Sequence, residues 1–499
     1  MRTRPDDPLR TPLPTLEAFL GDQLVDVRGT AEGVDVTGIT LNSTAARPGD
    51  LFAAPPGSRA HGASYAESAV GAGAVAVLTD AEGADLARDA GAPVLVVHSP
   101  RTVIGSLAAA IYGEPALDLR LVAVTGTQGK TTTTRLAESA LQAAGQKAAV
   151  IGTVGTRIAG EDVKTELTTP EAPELHALFA VMREEGVHGC AMEVSSHALV
   201  MGRVDGVVFD VAAFTNLGRD HLDFHADEEE YFRAKAELFT PARARLGLVN
   251  VDDDYGRRLL KEASIPMRTF STAGSADWQV VDIEPAPASS SFTVVRDGSE
   301  VGRGTVALAG DFNVANALCA IASLGEAGFD AAAVAEAMGR GGGVPGRLER
   351  VDAGQPFLAV VDYAHKPDAV SAILSALRPR TTGRLIIVLG AGGDRDQGKR
   401  PIMGEIASRL ADVLVVTDDN PRTEDPATIR AAMLAGATGG AEVHEIGDRR
   451  EAIRFAVSHA SDGDVVVIAG KGHESGQETQ GVVTLFDDRV VLREELNRL

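Results

Sequence analysis

The chain has 499 residues, 44% of them apolar and 4% aromatic, and its 47 Lys and Arg against 70 Asp and Glu leave a formal charge of −23. That balance argues against general nucleic-acid or anionic-membrane binding, so any phosphate must be held by a local site against the overall field. The length suits about three domains, and the two cysteines, Cys190 and Cys319, supply neither a disulfide framework nor a four-ligand metal site.

The opening MRTRPDDPLRTPLP lacks the apolar core of a signal peptide, and no apolar run approaches the ~20 residues of a membrane span. A soluble, cytoplasmic protein is expected. Residues 1–116 alternate short strand-like runs (LFAAPPG, AVAVLTD, APVLVVHS) with Ala-rich helical ones. A second block, 117–345, opens on the apolar run Leu121–Val124 and ends within GRGGGVPGR, whose glycines and proline read as a linker. The third, 346–499, repeats an apolar run, a polar or Gly-rich loop and a helical stretch, as in FLAVVDYAHKPDAV, RLIIVLGAGGDRD, ADVLVVTDDNPR and DVVVIAGKGHE. Such alternation predicts an α/β fold of three domains with mainly parallel sheets covered on both faces. Ligands in such sheets bind outside the carboxyl ends of the strands, so the polar loops are the first candidates.

The second block begins with LVAVTGTQGKTTT, a strand feeding a Gly-rich turn and then a helix from about Lys130. Only Thr127 and Gln128 separate Gly126 from Gly129, two residues fewer than in the common phosphate-binding loop. Backbone N–H groups and the helix N-terminus can still cradle phosphate oxygens, with Lys130 reaching the β- and γ-phosphates and the Thr131 hydroxyl available to Mg²⁺. An ordinary strand–helix turn reads the same way in isolation. Downstream, Glu193 ends the apolar run in GCAMEVSSHAL, where a buried carboxylate is costly unless paired or metal-bound. A further strand, VVFDVAAF, runs into a loop with Asp220 and His221. His221 and His225 stand four apart, but without H-E-x-x-H a zinc site is poorly supported.

HADEEEYFRAKAELF predicts a helix capped by Asp227, with Glu230 completing a capping box. At 3.6 residues per turn Tyr231, Phe232, Ala236, Leu238 and Phe239 form one apolar arc, and Lys235 falls in its middle. A lysine there either snorkels over apolar surface or is buried for chemistry. Burial favours the neutral amine, which can take up CO₂ as a carbamate, in effect a carboxylate and a metal ligand.

TGTQGKTTT, MEVSSHAL, FTNLGRDHLDFH, YFRAKAELF, GDFNVANALCA, GVPGRLE and VDYAHKP occur in this order. Together they resemble the Mur ligases, which join amino acids to the UDP-muramoyl precursor of peptidoglycan. VVTDDNPRTEDP looks like the acceptor motif of the MurE-type branch, which adds diaminopimelate to UDP-N-acetylmuramoyl-L-alanyl-D-glutamate. The resemblance implies an N-terminal α/β uridine-nucleotide domain, a central P-loop-type ATPase domain and a C-terminal Rossmann-like domain that brings the amino acid. It implies ATP held by Gly126, Thr127, Gln128, Gly129, Lys130, Thr131 and Thr132, with Asn313 and Asn316 near adenine and Arg347 and Asp362 near phosphates and ribose. Lys130, Glu193, His221 and Lys235 would be catalytic. One Mg²⁺ would sit on Thr131 and Glu193 and a second on His221 and Lys235, the latter as N6-carboxylysine.

The same likeness assigns the UDP-muramoyl-dipeptide to Ser43, Thr168, Thr169, Ser195 and Arg203. Diaminopimelate would lie among Arg395, Asp419, Asn420, Pro421, Arg422, Gly470 and Glu474. Diaminopimelate differs from lysine by a second carboxylate, and Arg422 can take a carboxylate bidentately; Glu474 suits the far ammonium. Relatives often read Asp-Ser-Arg where this chain has Asn42-Ser43-Thr44, Gln where Met201 stands, and Asn in place of Gln128. L-lysine, a natural-product carrier or a folylpolyglutamate-type substrate are the alternative chemistries, and a non-catalytic nucleotide-binding paralogue is the alternative of another class. The expected partners are small molecules alone, with no nucleic acid and no membrane insertion, acting on a monomer.

Overall fold

Runs such as Val94–Val97 (VLVV) and Leu385–Leu389 (LIIVL) are buried along their whole length, the pattern of strands covered on both faces. They are the frame on which the computed structural model is built; it describes all residues except Met1, Arg219, Leu222, Asp223 and Gly342. The chain separates into two units: Met1–Gln279 with Arg296–Ser299 and Leu318–Ala337, and Val280–Val295 with Glu300–Ala317 and Met338–Leu499.

The first unit carries two sheets. One orders its strands Leu24–Arg28, Val94–Val97, Ala76–Thr79, Asp50–Ala53 and Gly38–Thr40, parallel except for the first pair. The other runs Glu161–Val163, Thr156–Ile158, Ala148–Ile151, Gly189–Glu193, Arg120–Thr125, Phe209–Phe214, Ala244–Asn250 and Met267–Ser271, continuing into the start of Trp278–Ala286. From Ala148–Ile151 onward this order is parallel. Register sets Glu193 beside Val124 and Phe214 beside Thr125. The loops that leave these strands therefore start side by side.

In the second unit the order is Glu349–Arg350, Leu358–Asp362, Val465–Ala469, Leu385–Leu389, Val413–Val416 and Glu442–Glu445, parallel except for the first pair. Alternate residues serve opposite faces. Val360, Ile387, Leu389, Val416 and Val467 pack with the helices Pro367–Leu377 and Lys399–Leu410. Val361, Ile386, Val388, Val466 and Ile468 pack with Arg449–Ser458 and Asp488–Leu496. Each such side chain contributes about 1.5–3 kcal/mol by leaving water.

A charged pair is buried in that apolar setting. Arg449 grips Asp488 at 2.8 and 2.7 Å, both side chains fully buried. The same guanidinium donates to the carbonyls of Asp418 (3.3 Å) and Ala469 (2.9 Å), tying together the ends of two strands. Cys190 and Cys319 are free and buried, and burial pushes both thiols up, Cys319 to about 12. Among the described residues no helix is long and apolar enough to cross a membrane.

Candidate functional site

The strand Arg120–Thr125 delivers the chain to Gly126, where φ is +147° and an added Cβ would collide with the Thr215 hydroxyl. Glycine is therefore required for the turn. Gly129, at φ +87°, starts the helix Lys130–Ala143. The loop is held by its backbone from the next strand's end. Asn216 Oδ1 accepts from Gln128 N at 2.9 Å, while the Gln128 carbonyl accepts from Thr215 Oγ1 (2.6 Å) and Asn216 Nδ2 (3.2 Å). The Gln128 side chain is exposed, so the loop's shape does not depend on its length. Lys130 Nζ folds back to donate to the carbonyls of Gly126 (2.8 Å) and Thr127 (3.0 Å). Thr131 and Thr132 are buried in the first helical turn.

Glu193 ends its strand almost wholly buried, and its carboxylate accepts from Thr153 N (2.8 Å) and Thr153 Oγ1 (3.2 Å). Thr168 Oγ1 lies 3.2 Å from Thr153 Oγ1, and Thr169 Oγ1 donates to the Glu193 carbonyl at 2.9 Å. Ser195 caps the short helix Ser196–Val200 through Ala198 N, 3.1 Å from its Oγ. Arg203 donates to Glu171 at 3.0 Å and to the Thr169 carbonyl at 3.4 Å. Thr168, Thr169, Ser195 and Arg203 thus gather around the end of the Glu193 strand. Ser43 lies on the other sheet, in the turn Ser43–Ala45 capped by Asn42, whose Oδ1 accepts from Thr44 N and Oγ1 at 3.0 and 2.8 Å.

The helix Glu228–Ala236 has Asp227 as its cap, accepting from Glu230 N at 2.8 Å. The capping box differs from expectation by one residue: the Glu230 carboxylate accepts from Ala226 N, not from Asp227 N. Lys235 does not snorkel. It is buried, with Nζ donating to the Gly126 carbonyl at 2.9 Å and lying 4.5 Å from the Tyr231 ring centroid. Lys130 and Lys235 therefore bring two amines to one carbonyl oxygen of the loop. Tyr231 reaches Thr127 Oγ1 at 3.2 Å and has the His221 ring 6.0 Å away. His221 has φ +53°, in the left-handed region, and faces His197 at 4.9 Å. His225 is buried on Ser196 Oγ at 2.9 Å. Of this loop's motif, Arg219, Leu222 and Asp223 lie outside the described residues. Among the described residues no group of three or more His, Cys, Asp or Glu could hold a metal. The Thr131 hydroxyl and the Glu193 carboxylate are hard oxygen donors of the kind Mg²⁺ takes. Lys235 as an ammonium is a donor only and fits a metal solely as a carbamate.

Asn313, Asn316, Arg347 and Asp362 all belong to the second unit. The asparagines sit inside the helix Asp311–Glu326 and are not its caps: Asn313 Nδ2 donates to Ala309 O (2.7 Å) and Asn316 Nδ2 to Asn313 Oδ1 (3.1 Å). Asp362 ends its strand buried, accepting from Leu348 N and Ala364 N, both at 2.7 Å. Burial raises its acidity constant, opposed by Arg347 and those two N–H groups. The Arg347 guanidinium lies 4.5 Å from the Tyr363 ring.

The proposed acceptor residues converge at the carboxyl ends of neighbouring parallel strands of this unit, as a doubly wound sheet requires. Asn420 Nδ2 donates to Glu474 Oε2 at 2.9 Å. Asp419 is buried, its backbone carbonyl accepting from Gln477 at 2.8 Å, and Gly470 beside it has φ +117°. Arg422 adopts φ +52°, held from a hairpin of Gly476–Thr479 and Val482–Leu485. Its N–H donates to Glu478 O (3.0 Å), its carbonyl accepts from Gln480 N (2.6 Å), and its guanidinium donates to Gly393 O (2.6 Å). Pro421 is buried between them, and Arg395 is exposed on its loop. An open depression of about 380 Å³ is lined by Asn420, His473, Glu474, Glu478 and hairpin residues. On its flank His365 is pushed down to about 4 by burial, and Tyr363 up to about 12 by burial and by Glu474.

Several participants carry no separate reading in the sequence. Thr153, Thr215, Asn216, Tyr231, Gln477, Glu478 and the buried Lys471 all touch the expected residues. Asn216 and Tyr231 stand inside motifs that already marked the site, and Lys471 inside GKGHE.

A strand–loop–helix nucleotide-type cradle on one parallel sheet, and a cluster of charged strand-end loops on another, define a multi-domain α/β enzyme architecture. Family profiles match in three stretches: "Mur ligase family, catalytic domain" over residues 35–112, "Mur ligase middle domain" over 124–324, and "Mur ligase, glutamate ligase domain" over 346–472. The UDP-N-acetylmuramoyl-L-alanyl-D-glutamate–2,6-diaminopimelate ligase of Streptomyces avermitilis is 55% identical over 505 residues, covering 99% of this chain and 98% of its own. The protein of the same name from Streptomyces coelicolor is 54% identical over 504 residues, with the same coverage of 99% and 98%. A solved structure of a ligase of that name superposes with a TM-score of 0.72 at 33% identity, covering 98% of this chain and 99% of the other. The chain belongs to the Mur ligase family.

Proposed function

We propose that the chain is an ATP-dependent, ADP-forming ligase that adds diaminopimelate to UDP-N-acetylmuramoyl-L-alanyl-D-glutamate in peptidoglycan precursor synthesis. Full-length relatives named for this reaction, at 55% and 54% identity, carry the reading. The Arg422 loop beside Glu474 and Asn420 supports it from the chain itself. Residues 1–116, 117–345 and 346–499 would form the uridine-nucleotide, ATP and amino-acid domains of a cytoplasmic monomer.

The dipeptide's terminal carboxylate attacks the γ-phosphorus of ATP, the bond to the bridging oxygen breaks, and ADP leaves. The amine of diaminopimelate then attacks the acyl phosphate carbonyl. The tetrahedral intermediate expels phosphate, the amine proton is released, and the amide remains. Bringing a carboxylate to a polyphosphate opposes like charges, so cations decide the barrier. Lys130 is placed for the phosphates, with the loop N–H groups and the helix N-terminus as fixed dipoles. Mg²⁺, held by Thr131 and Glu193 and at a second position by His221 and Lys235, would add positive charge there. Lys235 takes that role after its neutral amine adds CO₂, losing one proton to become a carbamate. Lys130, sharing the Gly126 carbonyl with it, disfavours a second ammonium at that spot.

Thr168, Thr169, Ser195 and Arg203 would hold the dipeptide near Glu193, with Ser43 at the uridine end. Asn313, Asn316, Arg347 and Asp362 would serve the adenosine side. Phosphate release measured with each substrate omitted in turn tests the reading. Release is expected to need ATP, the UDP-muramoyl-dipeptide and diaminopimelate together; ATP turnover without the dipeptide would contradict it.

A further inference from the structure

Lys471 follows the strand Val465–Ala469 and its side chain is completely buried. An ammonium there is costly unless its charge and its N–H groups are satisfied. Nζ donates to Asn420 Oδ1 at 2.9 Å and lies 3.5 Å from Glu474 Oε2. Asn420 Oδ1 also accepts from Glu478 N at 3.0 Å, so both of its acceptor positions are used. Only one orientation of the amide satisfies that pair of donors. It turns Nδ2 toward Glu474 Oε2, the 2.9 Å bond observed. Glu474 is thereby held at the wall of the depression it shares with Asn420, His473 and Glu478. The three groups come from two loops, 51 residues apart between Asn420 and Lys471.

We propose that Lys471 is a positioning residue for acceptor recognition. It fixes the Asn420 amide and, through it, the Glu474 carboxylate that takes an ammonium of the incoming amino acid, without touching that substrate itself. A packing residue alone would call for an apolar side chain at this depth. The inference rests on the acceptor-site reading above.

The test compares the wild type, Arg422→Ala and Lys471→Met as full-length enzymes in steady-state phosphate release. Methionine keeps the straight stem and removes the ammonium. The KM for diaminopimelate is expected to rise about tenfold or more. The KM values for ATP and the UDP-muramoyl-dipeptide should stay within about twofold, a split that general loosening of the fold would not produce. In Lys471→Met/Asn420→Ala the KM should rise no further than in Asn420→Ala alone, because Lys471 acts through that amide. An unchanged diaminopimelate KM, or equal changes for all three substrates, overturns the proposal. If Lys471→Met is not recovered folded, Lys471→Gln, which keeps one donor without the charge, takes the same measurement. Failure of both to fold assigns the lysine to the fold alone and also overturns it. A wild type that does not use diaminopimelate refutes the functional reading instead. If the wild type uses it and Arg422→Ala impairs that use, the functional reading stands whatever Lys471→Met does.

Discussion

Replacing Arg422 by alanine isolates the guanidinium. Arg422 already holds a Cβ at φ +52°, so alanine adds no backbone strain beyond what the wild type bears. The main-chain bonds to Glu478 and Gln480, at 3.0 and 2.6 Å, do not involve the side chain and survive. Of the folded-state contacts only the bond to the Gly393 carbonyl at 2.6 Å and the Glu478 carboxylate at 3.6 Å are lost. The side chain is a quarter exposed, so water replaces those partners and stability should change by less than about 1 kcal/mol. What disappears is the partner for the second carboxylate of diaminopimelate, a charged hydrogen bond worth about 1.5–3 kcal/mol. The KM for diaminopimelate should therefore rise about 10- to 150-fold. Initial rates of phosphate release with each substrate titrated, plus thermal melts, make the assay. The KM for ATP should hold, and discrimination against L-lysine should shrink because lysine never used that guanidinium. An unchanged diaminopimelate KM, or an ATP KM that rises equally, would refute the reasoning.

Lys235→Ala is expected to abolish ligation, with partial recovery by added short carboxylates; full activity in the variant would remove the carbamate from the account. Arg449→Met leaves the Asp488 carboxylate buried without its partner and should lower stability by about 3–5 kcal/mol, whereas Arg449→Met/Asp488→Leu should recover much of that loss in chemical denaturation. His176 is fully buried with Nε2 on the Asp205 carbonyl at 3.1 Å, and burial pulls it from 6.5 to about 4. The unfolded chain thus binds a proton below about pH 6.5 that the folded chain refuses until about pH 4. Stability is complete above that window and falls within it as the pH drops, by up to about 3 kcal/mol. Melts at pH 7 and pH 4.5 should show a smaller acid loss in His176→Leu than in the wild type.

The legible part of the site was local. The strand, the Gly-rich turn and the helix start at Lys130 follow from punctuation within a dozen residues, and the burial of Lys235 follows from its place on a helical arc. What escaped depends on strand order, which no local window contains. Lys471 meets Asn420 only because Val465–Ala469 and Val413–Val416 flank the same central strand, Leu385–Leu389. From spacing alone, a lysine between two glycines reads as a surface residue. The hairpin that holds Arg422 turns on Gln480 and Gly481, at φ +52° and +75°, without the Asn-Gly or Asp-Gly pair that announces such a turn. The asparagines 313 and 316 read as a helix start, yet their side chains bond within the helix, because Ala309 and Asn313 supply acceptors one turn earlier.

The central claim is most directly tested by the mass of the product. The purified chain would be incubated with ATP, UDP-N-acetylmuramoyl-L-alanyl-D-glutamate and, in separate reactions, meso-diaminopimelate, LL-diaminopimelate or L-lysine. The account predicts a nucleotide-linked product heavier by one diaminopimelate residue, formed with one ADP and one phosphate, and little or no product with lysine. A lysine adduct formed in preference, or no adduct with any diaminopimelate isomer, would contradict it.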